Sequence, residues 1–155
     1  MNKQIPEPPK VYTYELPGGW TVMVGKTDRD NDRLSIKLAH PKDWWFHVHG
    51  MPGSHVLLKA KENDEEPGPE IIKAAAAIAA YHSKARSGGT VPVSCTRARY
   101  VTKPRGAKPG TVNIRKERII KVRPEPVGLK PALAASSERN SDVSGKSSRK
   151  TIKHT

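Results

Sequence analysis

Aromatic side chains are scarce in this 155-residue chain: three tryptophans, four tyrosines and one phenylalanine, 5% of the sequence. With so few large rings available as anchors, the place where they gather marks a core or a site. Cysteine is scarcer still. Cys95 stands alone, so no intrachain disulfide forms and nothing points to an oxidising compartment. No stretch approaches the ~20 apolar residues of a membrane-spanning helix. Met1 to Lys10 is polar and proline-rich, without the apolar segment of a secretory leader. These absences lead to the expectation of a soluble, cytoplasmic protein with no membrane role. Size adds one more exclusion, because a folded part of roughly 120 residues buries a modest core and no large enzyme cavity.

Acidic residues are also missing, but only from part of the chain. Residues 1–81 carry 10 Lys and Arg against 11 Asp and Glu, a net of −1. Residues 82–130 carry 13 against 2, or +11, and residues 131–155 add +3 to reach the total of +13. A basic block of this density repels itself and calls for an anionic partner. Nucleic acid is the leading candidate, because closely spaced phosphates reward many Lys and Arg contacts at once.

What the sequence does have is concentrated between Asp43 and His55. Those 13 residues hold two of the three tryptophans, the only phenylalanine and three of the six histidines. Before them, Val11 to Gly25 reads as a hairpin turning at Pro17-Gly18-Gly19. Lys26 to Arg33 reads as a polar loop. Its Asp28, Asp30 and Asp32 lack the glycine and distal glutamate of a calcium-binding loop. Leu34, Ile36 and Leu38 alternate with Ser35 and Lys37, which predicts a half-buried strand. Trp44 to Val48 and His55 to Ala60 have strand composition and are separated by a turn at Gly50 to Gly53. Pro69 opens a helix predicted over Glu70 to Arg86, with Ile71, Ala75, Ile78, Ala79 and His82 near one face. Strands follow at Val91 to Cys95, Arg97 to Thr102, Thr111 to Ile114 and Arg118 to Val122. Arg97 and Arg99 share parity with Val93 and Cys95, so a bend near Thr96 or an exposed edge is expected to keep them out of the core. Residues 1–10 read as a flexible N-terminus, 11–124 as the folded domain, and 125–155 as a basic, disordered tail.

Two features carry chemistry. The loop Lys103-Pro104-Arg105-Gly106-Ala107-Lys108-Pro109-Gly110 combines three cations with glycines that let backbone N–H groups approach an anion. Together with Arg97, Arg99 and Arg115 it assigns phosphate contacts to Arg97, Arg99, Lys103, Arg105, Lys108 and Arg115. Such contacts carry no sequence code. His47, Ser54 and His55 shape the adjacent surface, as hydrogen-bonding or RNA-contacting residues. The histidines invite a second reading, with His47 and His49 on one strand face and His55 past the turn. Three imidazoles suit a metal, and two suit general acid–base cleavage of RNA. No carboxylate stands at metal-ligand spacing and no cysteine is near. No metal, cofactor or catalytic residue is therefore assigned, and a histidine- or metal-dependent enzyme acting on RNA remains the alternative. An adaptor for acidic protein surfaces is a third reading. On strand parity, Trp45 points opposite to Trp44 and Phe46, with at least one aromatic in the core.

Several motifs in order resemble the NFACT-R domain, the predicted RNA-binding module of ribosome-associated quality-control factors that add C-terminal tails to stalled nascent chains. They are Val24-Gly25-Lys26 with Asn31-Asp32 and Leu34, then Asp43 with Trp45-Phe46-His47, and Pro52-Gly53-Ser54-His55-Val56. The alanine-rich helix with Ser83-Lys84-Ala85-Arg86 follows, then Lys108-Pro109-Gly110 and Ile119-Ile120-Lys121-Val122. The resemblance runs from about Tyr12 to Val122. It implies an α+β fold, here a mixed, mainly antiparallel sheet of short strands packed on one long alanine-rich helix. It also implies association with ribosomes through tRNA or rRNA, with the large ribosomal subunit as partner. The tailing factors carry further domains and coiled-coil arms that this sequence does not contain, so the expectation is a free-standing version of one module.

Overall fold

The structure is a computed structural model that describes residues 7–124 and the backbone of residues 130 and 131. Its elements in chain order are β1 (Val11–Leu16), β2 (Trp20–Gly25), a short helix α1 (Asp28–Asp32), β3 (Trp44–Val48), β4 (Val56–Leu58) and the helix α2 (Pro69–Tyr81). They continue with β5 (Val91–Arg97), β6 (Val101–Thr102), β7 (Asn113–Ile114), β8 (Arg118–Val122) and β9 (Lys130–Pro131). Seven strands form one antiparallel sheet in the order β8-β5-β3-β4-β2-β1-β9, while β6 and β7 make a separate two-stranded ribbon. The β1–β2 hairpin turns at Gly18 and Gly19, whose φ angles of 91° and 83° are open to glycine at little cost. The α+β class and the antiparallel sheet are as expected. Among the described residues, no helix is long and apolar enough to cross a membrane.

The sheet is covered on both faces, which explains how few aromatics suffice. On one face α2 lays Ile71, Ala75, Ile78 and Ala79 against Val22, Val24, Phe46, Val56 and Val93. Alanines keep the helix low, so the close approach seals those valines without large rings. On the other face Trp45 and Leu57 pack with Leu34, Ala98 and Val101. Trp45 therefore does point opposite to Phe46, as strand parity requires. Burying Trp45 and Phe46 to 2% and 0% exposure makes β3 the centre of both cores.

Four expectations need correction. Lys26 to Arg33 is largely helical rather than a loop, because Thr27 and Asp30 form a reciprocal cap: the Thr27 hydroxyl accepts from the Asp30 N–H, and the Asp30 carboxylate from the Thr27 N–H. Asp30 also accepts from the Lys10 N–H at 2.9 Å, which ties the helix to the start of β1. Leu34 to Leu38 is no strand but a wide π turn continuing from α1 and closed by the Ala39 N–H on the Leu34 carbonyl. Apparent alternation misled there, since Ser35 is buried and Leu38 is 42% exposed. Third, the helix is not long. Its 13 residues end at Tyr81, and Ser83 stops it by donating its hydroxyl to the Ala80 carbonyl at 2.7 Å. Fourth, β5 runs straight through Thr96, and the bend comes at Ala98 to Tyr100 as a 3₁₀ turn. Arg97 is half-buried, with its guanidinium 3.8 Å from the Trp44 ring centroid. The expected extents of the N-terminus at residues 1–6 and of the tail beyond residue 124 lie outside the described residues, apart from the backbone of β9.

Candidate nucleic-acid interface

The basic loop is anchored from the sheet by a single directed chain of hydrogen bonds. The Trp45 indole N–H donates to the Ser35 hydroxyl at 2.8 Å, and that hydroxyl donates to Nδ1 of His55 at 2.8 Å. Nε2 of His55 then donates to the Gly110 carbonyl at 3.1 Å, because a carbonyl only accepts. His55 is 2% exposed, and burial pushes its pKa down to about 4, so it works as a neutral strut. Two more ties hold the same loop. The Gly110 N–H donates to the Asp32 carboxylate at 2.9 Å, and the Lys103 ammonium pairs with Asp32 at 3.1 Å. Lys103 also donates to the carbonyls of Lys108 and Thr111.

Of the phosphate contacts predicted from sequence, the structure thus gives Lys103 internal partners. Arg97 likewise donates to the Lys42 carbonyl at 2.9 Å and pairs with Glu66 at 3.1 Å. Arg99, Arg105, Lys108 and Arg115 are exposed and enter no ion pair among the described residues. Arg99 and Arg115 stand together, each 5.6 Å from the Tyr100 ring centroid, and Lys116 joins them at 5.7 Å. His55 is withdrawn from direct contact by its burial, whereas His47 is half-buried, stacked on Trp45 with centroids 5.9 Å apart. Burial and the neighbouring His55 lower the His47 pKa to about 3. Nearby, the Ser94 hydroxyl donates to Glu117 at 2.6 Å, so its proton is committed to the carboxylate and not to His49, whose Nδ1 lies 3.0 Å away. Among the described residues, no group of three or more His, Cys, Asp or Glu side chains is placed to hold a metal ion.

Sequence reading missed a cleft at the end of α2. Where the helix stops, Ser83 to Arg86 folds back on the β3–β4 turn: the Ser54 N–H donates to the His82 carbonyl at 3.0 Å and the Lys84 N–H to the Pro52 carbonyl at 3.1 Å. With Gly25, Lys26 and Asn31, these turns line an open cleft of about 430 Å³, within the size range of small-ligand sites. His82 lies in its wall, with Nε2 2.8 Å from the Tyr14 hydroxyl and its ring stacked on Tyr12 at 5.1 Å. Burial and then Arg86 lower its pKa to about 4. Ser54 is the one predicted site residue that lines this cleft. The signal was present in the order of motifs, since Gly25-Lys26, Asn31, Pro52-Gly53-Ser54 and Ser83-Lys84-Arg86 all converge here.

Comparison with known proteins agrees with the motifs. The sequence model described as the NFACT protein RNA binding domain matches residues 10–116. The chain belongs to the NFACT RNA-binding domain family. Among curated relatives of the domain, the Rqc2 homolog RqcH of Bacillus subtilis is 43% identical over 125 residues, covering 81% of this chain and 21% of that protein. RqcH of Streptococcus suis is 38% identical over 107 residues, or 69% of this chain and 19% of the relative. The chain therefore spans about a fifth of the length of the relatives it matches. In three dimensions the domain is similar to the C-terminal part of the fibronectin/fibrinogen-binding protein from Streptococcus suis, with a TM-score of 0.70 at 35% identity, covering 79% of this chain and 49% of the other.

Proposed function

We propose that this chain is a non-enzymatic RNA-binding protein of the cytoplasm, which binds tRNA or rRNA on the large ribosomal subunit in stalled-ribosome quality control or translation. The observation that carries this reading is the idle charge of the second half. Of its described cations, Arg97 and Lys103 enter ion pairs, and both pair with acids of the first half. Arg99, Arg105, Lys108, Arg115, Lys116 and Arg118 are exposed without one among the described residues, which is costly self-repulsion unless an anion of high charge density arrives. Family membership and the RqcH relatives support RNA as that anion and ribosome quality control as the setting. His55 contributes indirectly, holding the loop that presents Arg105 and Lys108.

The test is co-sedimentation of the protein with large ribosomal subunits, with and without tRNA, across a salt series. If about five phosphates are neutralised, raising salt from 50 to 200 mM weakens binding ~500-fold. Affinity that ignores salt, or that nuclease treatment leaves intact, would refute the RNA reading and favour an acidic protein partner.

A further inference from the structure

The cleft opens where α2 ends, at Tyr81. Tyr12, Tyr14 and Leu16 share one face of β1, and Tyr14 and Leu16 join the core on that side at 7% and 3% exposure. Tyr12 is left 47% exposed. Its ring is stacked with His82, and the Lys26 ammonium lies over it at 4.5 Å from the centroid. Across the cleft the Arg86 guanidinium covers Tyr81 at 4.0 Å. Lys84 is exposed beside them, and neither Lys26, Lys84 nor Arg86 enters an ion pair among the described residues. A half-exposed ring, with a displaceable ammonium over it and three cations outside ion pairs around it, supplies the elements that a base and its phosphates require together. A duplex keeps its base faces stacked and presents only phosphates and groove edges.

We propose that this cleft binds one unpaired nucleotide of the RNA, its base stacked on Tyr12 and its flanking phosphates held by Lys26, Lys84 and Arg86. The proposal rests on the RNA-binding reading and deepens it, by making the ligand single-stranded or locally unstacked at this point. Lysine has a flexible stem, so Lys26 leaves the ring to the incoming base and turns to the adjoining phosphate. Ser54, on the opposite wall, offers a hydroxyl to the ribose or base edge. Loop cations Arg105 and Lys108 contact backbone elsewhere and do not distinguish strand from duplex.

The test compares a labelled 12-nucleotide single strand with a hairpin duplex of the same composition at fixed salt, using Tyr12→Leu, Tyr12→Phe and the pair Arg105→Ala with Lys108→Ala. Tyr12→Leu is expected to weaken single-strand binding about 5- to 150-fold, the worth of one stacked base. It should leave duplex affinity unchanged, and Tyr12→Phe should restore the single-strand affinity. A 2-aminopurine placed in the strand should be quenched by the native protein and by Tyr12→Phe, but not by Tyr12→Leu. The loop pair should weaken both RNAs alike. If Tyr12→Leu has no effect, or weakens strand and duplex equally, the cleft assignment is wrong while loop-mediated RNA binding stands. If the native protein binds neither RNA at 50 mM salt, both readings fall together.

Discussion

Acidification from about pH 7.5 to about pH 5 should destabilise this domain progressively, because the fold keeps His47, His55 and His82 neutral. The pKa of His55 is pushed down to about 4 by burial, against 6.5 for an exposed imidazole. A folded-state pKa below the unfolded value means the unfolded chain binds the extra proton throughout the interval between them. Stability is therefore complete above about pH 6.5 and falls by ~1.4 kcal/mol per histidine for each pH unit below it. At pH 5 that comes to ~2 kcal/mol for His55 alone. His47 and His82, lowered to about 3 and about 4, act in the same direction, and their partial exposure trims their shares. The three together remove ~4–6 kcal/mol, against the ~5–15 kcal/mol that holds a typical domain folded. Asp30 has the opposite chemistry and a separate window. Its carboxyl is held low by the Lys10 N–H, so its contribution is present above the usual carboxylate pKa and is lost only below about pH 4. Urea unfolding followed by tryptophan fluorescence at half-unit pH steps measures the effect, and Trp20 and Trp45 are buried reporters. Unfolding near pH 5.5 should take up about two to three protons, and His55→Gln should reduce that uptake by about one. A urea midpoint that stays level from pH 7.5 to 5 would show that these imidazoles are protonated in the fold, and the strut described for His55 would be wrong.

Three further outcomes follow from particular contacts. Replacing Arg105 and Lys108 with alanine should weaken every RNA to a similar degree and lower the slope of log affinity on log salt by about two, as for two lost phosphate contacts. Selective loss of one RNA would instead assign them to base recognition. Asp43→Ala should cost about 3 kcal/mol in urea unfolding. Asp43 is 0% exposed, and its carboxylate accepts from the His40 and Ala60 N–H groups and pairs with Lys59. A loss under 1 kcal/mol would mean those donors find water. Gly25→Ala should destabilise by ~1–3 kcal/mol, because a Cβ there would come 2.1 Å from Oδ1 of Asn31, the atom that accepts the His55 N–H. Unchanged stability in that variant would mean α1 shifts freely away from β2.

The strands were legible because their faces differ: Val22 and Val24, or Trp45 against Phe46, follow the period of two that a sheet imposes. The same rule failed at Leu34 to Leu38, where alternation arose by chance and the deciding residue was a serine. Ser35 is buried for its hydroxyl, which joins Trp45 to His55 across 10 and 20 residues of chain, and no local period encodes that. The helix end was misjudged for a related reason. Lys84, Arg86 and the two glycines beyond them suit a helix terminus, but the Ser83 hydroxyl and the β3–β4 turn take the backbone bonds first. The site was half legible. Charge located the exposed cations of the basic loop, whereas Lys103 and Arg97 proved to have acidic partners 71 and 31 residues away, which composition does not reveal.

The eight aromatics divide in a way that bears on both the fold and the surface. Tyr14, Trp20, Trp45 and Phe46 are buried, and with the low-profile alanines of α2 they close both cores. Tyr12 is exposed and Trp44, Tyr81 and Tyr100 are partly buried, and every one of the four has Lys or Arg over its ring. A surface cation–π pair is worth only ~0.5–1 kcal/mol, so stability alone gives little reason for rings so rare in this chain to stand outside. Replacing the exposed ring should therefore barely move the unfolding midpoint. Tyr12→Leu in particular should cost less than about 1 kcal/mol of stability, since its contacts are one stacked imidazole and one mobile ammonium. Separation of the two effects is the decisive point: a variant that folds as well as the native domain and loses single-stranded RNA places Tyr12 in the interface, whereas one that loses both through unfolding places it in the core.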